Sequence, residues 1–114
     1  MYYLFIVVLK NCGYSQGAIE LLNNYNIKYK SIEINQEEKH KYITSEINTF
    51  PQIYLKKTKT NDSLLLGGYS DLKYFVDTFI NKKYNESNIL NFSKKYSFWN
   101  KRSILRLIEI IHTK

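Results

Sequence analysis

The chain holds one cysteine, one proline, one tryptophan and four glycines in 114 residues. A single cysteine cannot close a disulfide within the chain, which excludes a disulfide-stapled scaffold and gives no pointer to an oxidising compartment. The N-terminal apolar run, Tyr2-Tyr3-Leu4-Phe5-Ile6-Val7-Val8-Leu9, is too short to span a membrane. It has neither a preceding basic region nor a small-residue cleavage site, so it reads as a buried strand and not as a signal peptide, and the chain is expected to be cytoplasmic. His40 and His112 have no partners at metal-ligand spacing and read as surface residues. The Asn-x-Ser triplets at Asn61, Asn85 and Asn91 read as accidents of an Asn-rich composition. There is no internal repeat.

What is present suits one globular unit with an appendage. Hydrophobic residues make up 44%, too many for a disordered chain, and 114 residues can build a core without metal or disulfides. Acidic residues run out towards the C-terminus. Up to residue 80 there are nine Lys/Arg against eight Asp/Glu; from 81 to 114 there are eight against two. The net charge of +7 therefore belongs almost wholly to the tail, and the expected division is a domain over 1–81 and a basic helical extension over 82–114, packed on the domain or on a partner.

Residues 3–9 have the continuous apolar pattern of a strand covered on both faces. Gly13 and Ser15 break it, and Ala18, Ile19, Leu21, Leu22 and Tyr25 then recur at helical spacing, predicting a helix over 14–25. Residues 28–34 alternate as a second strand. A strand, a helix and a strand within some 30 residues predict parallel pairing through a right-handed crossover. Asn35 is expected to cap a helix over 36–46, with Glu37 and Glu38 in its first turn. Thr49 to Leu55 reads as a strand entered through Pro51, and Ser63 to Leu66 as its hairpin partner. Gly67-Gly68 stops that strand, and Ser70 or Asp71 is expected to cap a helix with Leu72, Phe75, Val76, Phe79 and Ile80 on its apolar face. Residues 81–87 read as a linker, 88–96 as a short helix and 101–112 as a stronger one.

The chemistry concentrates at Lys10-Asn11-Cys12-Gly13-Tyr14-Ser15, a thiol at a strand-to-helix turn. An unperturbed cysteine is only a few per cent ionised at neutral pH, and the thiolate is the nucleophile. A helix N-terminus lowers the thiol pKa through its free N–H groups and dipole, and Lys10 adds a nearby cation.

Three segments, taken together, resemble the glutaredoxins. Cys12-Gly13-Tyr14-Ser15 is similar to their C-x-x-C or C-x-x-S motif, Thr49-Phe50-Pro51 to their Thr-Val-Pro with a cis proline, and Gly67-Gly68-Tyr69-Ser70-Asp71 to the Gly-Gly-x-x-Asp that opens the last helix. The resemblance covers 1–80 and implies an α/β, thioredoxin-like βαβαββα fold with a four-stranded mixed sheet, to which the tail adds a C-terminal helical extension. It also implies a glutathione-dependent thiol-disulfide oxidoreductase with Cys12 as the catalytic residue. Ser15 stands where two-cysteine members carry the resolving thiol. A hydroxyl forms no disulfide, so the implied cycle is monothiol: Cys12 takes glutathione from glutathionylated or disulfide protein substrates, and a second glutathione releases it.

The resemblance also supplies a glutathione site. Phe50, in place of the usual Val and held by cis Pro51 after Thr49, would pair its backbone with the tripeptide. The N–H groups of Tyr69 and Ser70 would receive a carboxylate and Asp71 an ammonium, with Asp71 as a mere helix cap the equal alternative. Lys10 would bind the other carboxylate, although the family's basic residue lies three positions before the cysteine and Lys10 two. Tyr14 is expected to shield the sulfur. Cys-Gly-Tyr-Ser also resembles the Cys-Gly-Phe-Ser of members that carry a [2Fe–2S] cluster across a dimer, with Cys12 then a metal ligand. The short Lys10-Asn11-Cys12 loop favours exchange. Oligomeric state is open between monomer and homodimer.

The run from Lys94 to Arg102 interleaves bases with Tyr96, Phe98 and Trp99, as a surface for nucleic acid or an anionic membrane would, or as the tail of a redox-inactive interaction module. The favoured reading is packing of Phe98, Trp99 and the 104–111 face on the core or on a second copy, because a helix so rich in isoleucine and leucine must be buried.

Overall fold

The computed structural model describes residues 1–80 and 85–113. Its elements are β1 (Tyr2–Leu9), α1 (Gly13–Asn24), β2 (Lys30–Ile34), a 3-10 turn (Gln36–Lys41), β3 (Gln52–Lys57), β4 (Ser63–Gly67), α2 (Tyr69–Phe79), α3 (Glu86–Lys95) and α4 (Lys101–His112). The sheet order is β2-β1-β3-β4. β1 pairs parallel with β2 and antiparallel with β3, which pairs antiparallel with β4. This is the thioredoxin-like βαβαββα layout with two further helices. Among the described residues no helix is long and apolar enough to cross a membrane.

Alternation along β1 sends side chains to two cores. Leu4, Ile6 and Val8 join α1, α2, α3 and α4 in the larger one. Val7 and Leu9 meet Ile34 and Phe50 in a smaller one on the opposite face. The tail helices belong to the large core: Phe92 sits edge-on to Phe75 at 5.1 Å, and the Trp99 indole N–H donates to the Leu65 carbonyl at 2.9 Å. In α4, Ile104, Leu107, Ile108 and Ile111 are buried at helical spacing, after an N-cap in which Asn100 accepts from the Ser103 N–H.

Four expectations change. The helix foreseen over 36–46 is a single 3-10 stretch, because it buries no residue and Thr44 then draws the chain away by accepting from the N–H groups of Glu46 and Ile47. α2 is capped by Gly68 instead of Ser70 or Asp71; Asp71 is the third helical residue, and its carboxylate accepts from the Gly68 N–H. Of the predicted linker, residues 81–84 lie outside the described residues, while Glu86 and Ser87 belong to α3, which Asn85 caps by accepting from the Asn88 N–H. Phe98 stays 80% exposed, because neighbouring Trp99 takes the inward position in that turn. Both histidines are exposed, and His112 Nε2 lies 2.9 Å from the Phe79 carbonyl.

Candidate active site

β1 delivers the chain to the cysteine through a tight turn. The Lys10 N–H donates to the Ile34 carbonyl at 2.8 Å, which anchors the turn to β2. Asn11 takes a left-handed conformation with φ 60°, which Asn tolerates through local hydrogen bonding. Cys12 is then the N-cap of α1, with extended backbone and no side-chain oxygen to satisfy the first N–H groups. A sulfur anion at that position takes over the capping role that an Asp or Ser oxygen fills elsewhere.

The thiol is half-buried, and its Sγ lies 3.8 Å from the Phe50 carbonyl. Burial pushes its pKa up. Hydrogen bonds from the Ser15 N–H, the Ser15 hydroxyl and the Tyr14 N–H, with the charge of Lys39, outweigh that, so the net shift is downward from the ordinary cysteine value. Ser15 is thus more than a missing thiol. It is buried, and its Oγ accepts from the Leu9 N–H at 3.0 Å. With that lone pair occupied, the hydroxyl proton is free to point at the sulfur. One side chain ties the end of β1 to the first turn of α1 and solvates the thiolate.

Beside the sulfur runs an open groove of about 530 Å³. Glu46 to Phe50 form one wall, Leu65 to Asp71 the other, and Tyr14 stands at one end. The first wall is held down by Gln52, a buried amide that donates to the Tyr42 carbonyl at 2.8 Å and accepts from the Tyr54 hydroxyl at 3.1 Å. The second wall turns at Gly67, whose φ of 135° suits glycine and whose added Cβ would run into the Asp71 carboxylate. Gly68 lets this wall come close to the first, for a Cβ there would already touch the Pro51 carbonyl at 3.6 Å. The Phe50–Pro51 peptide is cis.

The structure brings together Cys12, Tyr14, Thr49, Phe50, Tyr69, Ser70 and Asp71, with Pro51 abutting Gly68. Lys10 is exposed and does not line the groove, since the turn at Asn11 carries the chain past it. The cation that acts on the sulfur is Lys39 of the 3-10 turn. Tyr14 is 70% exposed and tilts against the Tyr69 ring at 6.2 Å, so it builds the groove's end more than a cover for the sulfur. Asp71 has both oxygens engaged: one by the Gly68 N–H, the other by the Tyr96 hydroxyl of the tail at 2.8 Å. Burial and this bond to Asp71 push the Tyr96 pKa well up, keeping it a neutral donor. Motif reading missed Lys39, Glu46 to Asn48 and Tyr96, which reach the site only through folding; the Glu37-Glu38-Lys39 sequence at a capped turn offered the sole local hint of the first.

No group of three or more His, Cys, Asp or Glu side chains suited to a metal ion occurs among the described residues. A [2Fe–2S] cluster takes four ligands, typically thiolates, and this chain offers one. A cluster shared across a dimer, as the resemblance implies, would take one Cys12 from each copy and its remaining ligands from glutathione.

Comparison with protein families matches residues 2–59 to the model described as Glutaredoxin. Among solved structures, glutaredoxin 1 from Francisella tularensis, crystallised in complex with cacodylate, is similar, with 22% sequence identity and a TM-score of 0.56. All of that chain is covered, and 72% of this one. No curated protein matches.

Proposed function

The chain belongs to the glutaredoxin family, whose members are thiol oxidoreductases, and from that premise we propose that it reduces glutathione mixed disulfides through Cys12 alone. The observation that supports this reading best is the sulfur at the α1 N-cap, solvated by Ser15 and Tyr14 beside a groove that fits an extended peptide. In the first step the Cys12 thiolate attacks the glutathione sulfur of a glutathionylated protein. The new Cys12–glutathione disulfide forms as the old one breaks, and the substrate leaves as a thiolate that takes a proton from water. In the second step a glutathione thiolate attacks that same glutathione sulfur. Oxidised glutathione leaves, and the Cys12 thiolate returns to its hydrogen bonds. The net exchange consumes one free glutathione: the substrate's disulfide is replaced by that of oxidised glutathione, whose other half comes from the substrate itself.

Ser15 suits this cycle because its hydroxyl cannot compete for the mixed disulfide but does stabilise Cys12 as a leaving group. The groove suits the tripeptide: backbone at Phe50 pairs with its extended main chain, and the α2 N-terminus at Tyr69 and Ser70 receives a carboxylate. Asp71 receives the ammonium on lone pairs left by Gly68 and Tyr96. A cytoplasmic, reducing setting belongs to the same proposal. The test is turnover of a glutathionylated peptide with excess glutathione. Cys12→Ser abolishes it, and an intact, folded protein without turnover refutes the reading.

A further inference from the structure

A second cavity, about 890 Å³ in volume, lies away from Cys12 between the start of β1 and the outer side of α4. β1 runs from the cavity lining at Tyr2 towards the turn that carries Cys12, its eight residues spanning roughly 23 Å in seven steps of about 3.3 Å. It joins parts of the chain that no sequence run connects. Lys28 and Lys30 come from the approach to β2, Lys57 from the end of β3, and Arg102 and Arg106 from successive turns of α4. Glu109 is the one acidic residue among the described residues of its lining.

These five cations are poorly neutralised and partly fixed. Among the described residues only Arg106 has an acidic partner, Glu109 at 3.8 Å, on an exposed and therefore weak pair. Arg106 and Lys57 both lie over the Tyr2 ring, at 5.3 and 5.8 Å, and Lys30 lies over Tyr3 at 4.6 Å. Tyr29, half-buried with its hydroxyl donating to Asn23 at 3.1 Å, adds an anchored ring to the lining. Like charges gathered around one cavity repel each other, and a multivalent anion relieves all of that repulsion at once.

We propose that this cavity binds a nucleoside polyphosphate: Arg102, Arg106, Lys28, Lys30 and Lys57 take the phosphates and Tyr29 stacks on the base. A free nucleotide fits better than a nucleic-acid strand. The cations gather around one half-open cavity of small-ligand size, about 890 Å³.

The test is calorimetric titration of the intact chain with ATP at low salt, with inorganic triphosphate and a short single-stranded oligonucleotide as comparisons. The expected result is one saturable site that weakens as salt rises and prefers ATP to triphosphate. Arg102→Glu with Arg106→Glu should weaken ATP by ~tenfold or more, and Lys28→Ala with Lys30→Ala, on the other wall, should weaken it as well. Alkylation of Cys12 at its wild-type rate shows that each variant is folded. Absence of ATP binding, binding that both variants retain, triphosphate as tight as ATP, or capture of the oligonucleotide alone would each overturn the proposal.

Discussion

Ser15→Ala separates the two duties that the structure gives this hydroxyl. The methyl group fits the space but accepts nothing, so the buried Leu9 N–H loses its partner at the end of β1. A buried backbone donor left unsatisfied costs about 1–3 kcal/mol, a shift of roughly 3–12 °C in melting temperature for a domain of this size. The sulfur loses one of the donors that hold its pKa down, so that pKa moves back up. Both effects are measurable on one sample: thermal denaturation gives the first, and the pH dependence of iodoacetamide alkylation gives the second. Alkylation should be slower than wild type below the thiol's ordinary range and should converge with it at alkaline pH, where both are ionised. Linkage gives the sign for stability. A depressed folded pKa means that the thiolate's contribution is complete above the unfolded value, about 8.5, and is lost as pH falls through the folded value. The stability gap between wild type and Ser15→Ala should therefore narrow in acid to the part owed to Leu9. An alkylation profile identical to wild type would refute the reasoning, since it would mean that the hydroxyl does not face the sulfur.

Tyr96→Phe removes the donor to Asp71 and should lower stability by about 0.5–2 kcal/mol, with a rise in KM for glutathione greater than any fall in kcat. Because the folded Tyr96 pKa is raised, its contribution is complete below about pH 10 and is lost as pH rises, so the variant should show a shallower alkaline loss of stability by denaturant titration. Gly67→Ala drives a Cβ into the Asp71 carboxylate at a φ that alanine resists; it should cost at least about 2 kcal/mol and weaken glutathione saturation. Removal of everything after residue 80 strips Phe92, Trp99, Ile104, Leu107, Ile108 and Ile111 from the large core. At about 1.5–3 kcal/mol each, that loss is on the order of 10 kcal/mol, comparable to the whole stability of a domain. The truncated chain should give no cooperative unfolding transition by circular dichroism, and a stable native fold would show the tail to be dispensable.

How legible these features were depended on how far along the chain their causes lie. The strands, α1, α2 and α4 declare themselves by period, and the three glutaredoxin-like segments are contiguous, so the fold and most of the groove follow from local reading. The helix expected over 36–46 does not form because Asn35, Glu37 and Glu38 satisfy helix-start preferences without an apolar face to bury. Asp71 was legible as a cap or a ligand but not as the acceptor of Tyr96, 25 residues later. Lys10 drew attention by adjacency, whereas Lys39 acts on the sulfur through the fold. The basic cavity was invisible for the same reason. The charge count along the chain points to residues 81–114, yet these supply only Arg102 and Arg106, and the cavity's other three cations come from the nearly neutral first 80 residues.

The central claim is that Cys12 is an activated thiol that exchanges glutathione. It is tested most directly by mass spectrometry of the folded chain after incubation with oxidised glutathione. The account predicts a single glutathione adduct, mapped to Cys12 and removed by reduced glutathione. An unmodified folded chain, with an adduct appearing only after denaturation, would contradict it.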